Sequence, residues 1–189
     1  MDRPLILYLH GFCSSPASWK SRLLGEEMAR RGLAEHFACP QLSPVPDEAV
    51  VCAETLIEQS GGEVVLVGSS LGGHYANHLA EKHDLRAVLI NPAVIDRLDL
   101  GLFVGDHTNF HSGEAFAFTA AHAAQLRSQV RVPSPGRYWL LAETDDEVLD
   151  VRLAEAFYAG CRQTILPGGD HSFTKFPDFV SQIIEFAGL

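Results

Sequence analysis

The chain has 189 residues, of which 47% are hydrophobic and 20% charged, an ordinary globular usage that excludes a largely disordered or low-complexity protein. At roughly 100–200 residues per domain, this length predicts a single domain that needs no staples to fold. Twenty-four acids against fourteen bases leave a net charge of −10, which disfavours nucleic acid and anionic membrane surfaces, since both are bound through Lys and Arg.

In chain order, strands are predicted at 5–9, 37–39, 64–67, 87–90, 138–142 and 161–166, and helices at 18–31, 47–58, 71–82, 150–159 and 176–186. The lead Met1-Asp2-Arg3-Pro4, followed by the apolar run 5–9, lacks the basic start, long apolar stretch and small-residue cleavage site of a signal peptide, so it reads as the approach to a buried strand. Several strand runs lack polar alternation, which suits strands covered on both faces. No apolar run approaches the ~18 residues of a membrane span. Cys13, Cys39, Cys52 and Cys161 are scattered without a CxxC pair, which points to reduced thiols in a cytoplasmic protein rather than a disulfide framework. The alternation of strand and helix predicts a three-layer α/β fold with a mostly parallel sheet of about six strands. The stretch from about 93 to 136 carries no strand signal and far exceeds a usual connection. It is expected to be a partly helical, lid-like insertion within one domain spanning 1–189, lying over the carboxyl ends of the strands, where ligands bind in such sheets.

The most informative segment is Val64-Val65-Leu66-Val67-Gly68-Ser69-Ser70-Leu71-Gly72-Gly73, an apolar strand, then G-x-S-x-G, then a helix. A serine on a strand-to-helix turn adopts strained backbone geometry to lift its hydroxyl above the sheet, and the flanking glycines remove side chains that would collide. Ser69 has Val67 two residues before it and does not fit; Ser70 is the candidate nucleophile. The segment has neither the Gly-Lys-Ser/Thr of a P-loop nor the GxGxxG of a dinucleotide site.

A serine hydroxyl needs a base. In the chain order Ser…Asp…His expected of this turn, the base lies late, and His171 is the one histidine beyond position 122, in Gly168-Gly169-Asp170-His171-Ser172. The acid should follow the strand at 138–142, where Glu143, Asp145, Asp146, Glu147 and Asp150 are all available. Asp146 is preferred because it stands just before the apolar pair Val148-Leu149, which can anchor the loop. Glu143 and Asp145 read as solvated or capping, and Asp150 as a cap of the following helix. The loop His10-Gly11-Phe12-Cys13 leaves the first strand where a second oxyanion donor is expected, so the backbone amides of Phe12 and Leu71 are the predicted oxyanion hole. His10 reads as a structural, hydrogen-bonded histidine and Cys13 as a small loop residue.

The pairs His107/His111 and His74/His78 are each spaced four apart, as on a zinc-binding helix, but neither contains the Glu of HExxH. They read as solvated histidines, the second pair on the polar side of the helix after Ser70. Arg97, Arg127 and Arg131 read as surface charges.

Together these residues resemble the α/β-hydrolase fold, and more narrowly the small bacterial YqiA-type esterases. The resembling blocks are Leu7-Tyr8-Leu9-His10-Gly11-Phe12 with Ser14-Ser15-Pro16, Pro40-Gln41-Leu42, Val67-Gly68-Ser69-Ser70-Leu71-Gly72-Gly73 and Asn91-Pro92-Ala93-Val94. They continue with Asp146-Glu147-Val148-Leu149-Asp150 and with Cys161-Arg162-Gln163-Thr164 leading to Gly168-Gly169-Asp170-His171-Ser172-Phe173-Thr174. The resemblance implies a serine hydrolase of carboxylic esters or acyl thioesters, with no metal or organic cofactor and a small-molecule acyl substrate. It also supports Asp146 over its acidic neighbours. Other chemistry on the same fold, peptidase or acyltransferase, and a non-catalytic interaction protein are the alternatives.

Overall fold

The protein is described by a computed structural model covering residues 3–189; the Met1-Asp2 lead lies outside the described residues. Six parallel strands form the central sheet in the order β2-β1-β3-β4-β7-β8. They are β1 (Leu5–Leu9), β2 (Phe37–Ala38), β3 (Val64–Ser69), β4 (Arg86–Ile90), β7 (Tyr138–Glu143) and β8 (Arg162–Leu166). Helices α1 (Trp19–Arg30), α2 (Pro46–Gln59), α3 (Leu71–His83), α5 (Val151–Phe157) and α6 (Phe176–Ala187) connect or follow them. Strand β3 is apolar on both faces and fully buried, as the unbroken run Val64–Val67 predicts.

The pleat sorts side chains into two cores. On one face Ile6 and Tyr8 of β1 pack with Leu24 and Met28 of α1 and Ile183 and Ile184 of α6. On the other, Leu7 and Leu9 pack with Ala49, Val50 and Ala53 of α2 and Tyr75, Ala76 and Leu79 of α3. This is the expected three-layer arrangement. The chain runs outward from β1 to β2 and then returns to the opposite side of β1 to form β3. The sheet therefore reverses its direction of growth between β1 and β3, and the loops leaving their carboxyl ends diverge to open a crevice. Those two loops carry Phe12 and Ser70.

The 93–136 segment is partly helical, with two short 3₁₀ turns (Ile95–Arg97 and Leu100–Phe103) and one helix, α4 (Ala120–Ser128), but it also holds strands where the sequence carried no strand signal. Between them lies an antiparallel hairpin of β5 (Gly105–Thr108) and β6 (Ala115–Phe118). Ala115-Phe116-Ala117-Phe118 alternates with a period of two, and Phe118 is buried while Ala115 and Ala117 are exposed. The partner strand Gly-Asp-His-Thr has no apolar residue, so the pair carries almost no strand signal. The turn between them is built by Asn109, whose Oδ1 accepts the amides of His111 at 2.9 Å and Ser112 at 3.0 Å. The hairpin tip is tied to the β1 loop: Phe110 N donates to Cys13 O at 2.8 Å, and Asn109 Nδ2 to Ser14 O at 2.8 Å.

Among the described residues, no helix is long and apolar enough to cross a membrane.

Candidate active site

Ser70 occupies the turn between β3 and α3 with φ 56° and ψ −120°, a region that a non-glycine residue rarely enters. The turn exists because glycines flank it. A Cβ on Gly68 would run into the carbonyl of Gly72, and one on Gly72 would run into the carbonyl of Leu9. Across the crevice, a Cβ on Gly11 would stand 3.2 Å from Ser70 Cβ, so glycine there lets the β1 loop close on the serine. Three other positive-φ, non-glycine residues, Cys13, Asn91 and Phe173, sit on loops around the same sheet edge.

His171 Nε2 lies 3.0 Å from Ser70 Oγ, and His171 Nδ1 lies 2.8 Å from Asp146 Oδ2 and 3.0 Å from Oδ1. The residues come from three loops, after β3, β7 and β8. The Asp146 side chain is only 2% exposed, and its Oδ1 also accepts the amides of Val148 (2.9 Å) and Leu149 (2.8 Å). The apolar pair after Asp146 thus supplies the amides that fix the carboxylate. Asp145 turns outward and is exposed, with Thr144 Oγ1 donating to it at 3.0 Å, and Asp150 caps α5 by accepting the Arg152 amide at 3.0 Å. The amides of Phe12 and Leu71 flank Ser70 and donate to no protein acceptor among the described residues, so both are open to a ligand oxygen.

Glu143 corrects its sequence expectation. It is neither solvated nor a cap but completely buried at the end of β7. Its carboxylate accepts the amides of Asp170 at 3.0 Å, Thr174 at 3.0 Å and Lys175 at 3.0 Å, and the Thr174 hydroxyl at 3.1 Å. The loop bearing His171 is therefore wound around a buried carboxylate. From the other side Asn91, just past β4, donates from Nδ2 to the carbonyls of Asp170 (3.0 Å) and His171 (3.1 Å), while its Oδ1 accepts the Glu143 amide at 3.1 Å. Lys20 Nζ donates to Ser172 O at 2.7 Å. Burial pushes the Lys20 ammonium down to about 8, against the opposing pull of Asp170, Glu143 and Asp146. Sequence reasoning missed all three supports. A polar residue that ends an apolar strand run, as Glu143 and Asn91 do, is the signal that could have found two of them.

His10 behaves as expected. It is buried, its Nε2 accepts the Leu42 amide at 3.0 Å, and its Nδ1 donates to Gly11 O at 3.0 Å; burial pulls its pKa below the ordinary value. His74 and His78 are not solvated: both are buried between α3 and the segment at 126–131. Burial drops His74 to about 3, and His78 Nδ1 donates to Gln129 O at 2.8 Å. His107 packs edge-on against Phe12, with ring centroids 4.8 Å apart.

Two cavities meet at Ser70 and His171. The first, of about 240 Å³, is apolar and lined by Phe12, Leu98, Leu100, Phe103, Phe118 and Leu149 among others. Much of its wall comes from the 93–136 segment. The second, of about 340 Å³, is more polar than the first: Ser18, Lys20, His111, Glu147 and Ser172 line it beside Tyr8, Phe12, Trp19 and Phe110.

The parallel sheet, the switch point and the strained serine after β3 define an α/β-hydrolase fold, and solved structures agree. The chain superposes on alpha/beta hydrolase domain-containing protein 10 from mouse with a TM-score of 0.73 at 16% identity, covering 99% of this chain and 90% of that one. Est1E from Butyrivibrio proteoclasticus gives a TM-score of 0.68 at 14% identity, covering 98% and 87%. The monoacylglycerol lipase of Paleococcus ferrophilus gives 0.67 at 15% identity, covering 99% and 96%. Within this fold the sequence is more specific: the profile described as "Uncharacterised protein family (UPF0227)" matches residues 5–188, and the chain belongs to that family, the YqiA-like one its motifs resemble.

Proposed function

We propose that the protein is a serine hydrolase that cleaves carboxylic esters, with acyl thioesters as a second substrate class, through an acyl-enzyme on Ser70. The observation that carries this reading is the continuous hydrogen-bonded run from Ser70 Oγ through His171 to Asp146, at 3.0 Å and 2.8 Å. Ser70 Oγ bonds to the acyl carbon as its proton passes to His171 Nε2, and the carbonyl electron pair moves onto oxygen. The amides of Phe12 and Leu71 receive that oxyanion, each worth about 2.7–4 kcal/mol in the transition state. Collapse breaks the bond to the leaving group, which takes the proton from His171. Water then attacks the acyl-enzyme, His171 accepts its proton, and Ser70 is regenerated. Asp146 holds the imidazole with Nδ1 protonated and balances the imidazolium that forms.

The apolar cavity supports the assignment of the acyl side. At about 240 Å³ it falls below the roughly 300–1,000 Å³ of drug-sized sites, which favours a small acyl group. The 93–136 segment acts as its lid. The monoacylglycerol lipase among the structural neighbours is an ester hydrolase by name, which supports the same reaction class here.

A fluorophosphonate probe followed by intact mass and peptide mapping tests the reading. One adduct on Ser70, abolished in Ser70→Ala together with turnover of p-nitrophenyl butyrate, is the expected result. Wild-type turnover in a clean Ser70→Ala preparation would overturn it.

A further inference from the structure

An ester has two halves, and Ser70 stands between an apolar cavity and a more polar one. Resting on the esterase reading, we infer that the more polar cavity is a leaving-group subsite that takes a neutral, polyhydroxylated alcohol, seated by Lys20 and Ser18.

The cavity on the acyl side has no polar side chain besides Ser70 and His171 among its described lining residues. The opposite one has polar atoms held in readiness. Ser18 Oγ and Tyr8 Oη are buried without a hydrogen-bond partner among the described residues, and both residues line it. A buried hydroxyl left unpaired is unfavourable by itself and becomes satisfied when a ligand supplies the missing partner. Lys20 Nζ has three donor hydrogens, and one described acceptor, Ser172 O, takes a bond from it. Ser18 and Lys20 stand at the start of α1, and both line this cavity. Acceptors are present too: the Glu147 carboxylate reaches this wall, its Oε2 already accepting the His171 amide at 2.9 Å.

The charge balance selects among polar ligands. The charges of Asp170, Glu143 and Asp146 act on the Lys20 ammonium, and Glu147 lines the same cavity, so carboxylates outnumber the one lysine there. An anionic leaving group, such as a nucleotide thioester or a phosphorylated alcohol, would enter a field that is already negative. A neutral alcohol bearing several hydroxyls meets the donors of Lys20, Ser18 and Tyr8 and the acceptor of Glu147 without that repulsion. Its size suits a cavity of about 340 Å³.

The test compares three butyrates with the same acyl half: glyceryl monobutyrate, n-propyl butyrate and p-nitrophenyl butyrate. The expected kcat/KM for the glyceryl ester exceeds that of the propyl ester by roughly tenfold, the worth of one or two well-made hydrogen bonds. In Ser18→Ala and in Lys20→Met the glyceryl-to-propyl ratio falls toward one. Ser18→Ala guards against a Lys20 effect transmitted only through Ser172. Equal rates for the two alkyl esters in the wild type, or a ratio that neither variant changes, overturn the inference while Ser70-dependent p-nitrophenyl butyrate turnover leaves the esterase reading intact. Absence of Ser70-dependent turnover of all three overturns both.

Discussion

Glu143 and Asp170 are joined by a 3.0 Å hydrogen bond from the Asp170 amide to the Glu143 carboxylate, one residue before His171. The same carboxylate gathers the amides of Thr174 and Lys175, so it closes the loop on both sides of His171. The glycine at 169 belongs to this arrangement: a Cβ there would overlap the Glu143 carboxyl group. Glu143→Gln exchanges one acceptor oxygen for an amide NH₂ that faces donors. It is expected to lower stability by about 2–3 kcal/mol in urea unfolding. Because the loop loosens around His171 without touching substrate, kcat should fall by about tenfold or more with KM little changed. Unchanged kcat in a destabilised variant would make Glu143 a structural residue only.

The neighbouring acids separate cleanly. Asp146 is enclosed and bonded to His171 Nδ1, while Asp145 is exposed and pairs with Thr144. Asp146→Asn should preserve the fold yet reduce kcat by about four orders of magnitude, because the amide stabilises the wrong imidazole tautomer. Asp145→Asn should stay within a few-fold of the parent. A larger loss at Asp145, read in the same ester assay, would reverse the assignment.

The strands and most helices were legible because they depend on local pattern, and the candidates Ser70, Asp146 and His171, read from the turn motif, the chain order and the family resemblance, stand within hydrogen-bond reach of one another. An unbroken apolar run marks a strand buried on both faces, and G-x-S-x-G marks the turn after it. What stayed hidden depends on contacts distant in sequence. Glu143 looks solvated in an acidic run until Asp170, Thr174 and Lys175 are folded around it. His74 and His78 look like a polar helix face until the segment around Gln129 covers them. The β5–β6 hairpin has strands of only four residues each, one of them without an apolar side chain, and it is fixed through Asn109 and Phe110 to the backbone at Cys13 and Ser14. Such strands depend on their partner rather than on propensity.

Lys20 should give the protein a measurable pH dependence of stability. Its folded value of about 8 lies below the ordinary 10.5, so between these limits the unfolded chain binds a proton that the folded one has released. Stability contributed by this group therefore rises with pH across that window, by on the order of 3 kcal/mol in total. Other groups move the opposite way: burial raises the Cys39 thiol to about 11, which disfavours the folded state as its unfolded counterpart ionises. The quantity to measure is thus the difference in unfolding free energy between the parent and Lys20→Met at pH 7.5 and pH 10. The difference should shift in favour of the parent as pH rises. A pH-independent difference would mean that the ammonium is better solvated than its burial indicates.

The wall of the apolar cavity should set acyl-chain preference. Phe103 lines that cavity from the insertion and meets Phe12 edge-on, with ring centroids 6.3 Å apart, yet it is only partly buried, so its removal should leave the fold standing. Each methylene that enters an apolar site is worth about 0.8 kcal/mol, or roughly a fourfold gain in kcat/KM, until the space is filled. In a series of p-nitrophenyl esters the parent is expected to gain by that factor with chain length and then to fall. Phe103→Ala opens the wall and should move the fall to longer chains, whereas Leu98→Phe narrows the cavity and should move it to shorter ones. The two opposite shifts guard against a general loss of activity being taken for a change in preference. If neither variant moves the optimum, the acyl group is seated somewhere other than against Phe103 and Leu98, and the 93–136 segment is packing for the sheet edge rather than the wall that measures the substrate.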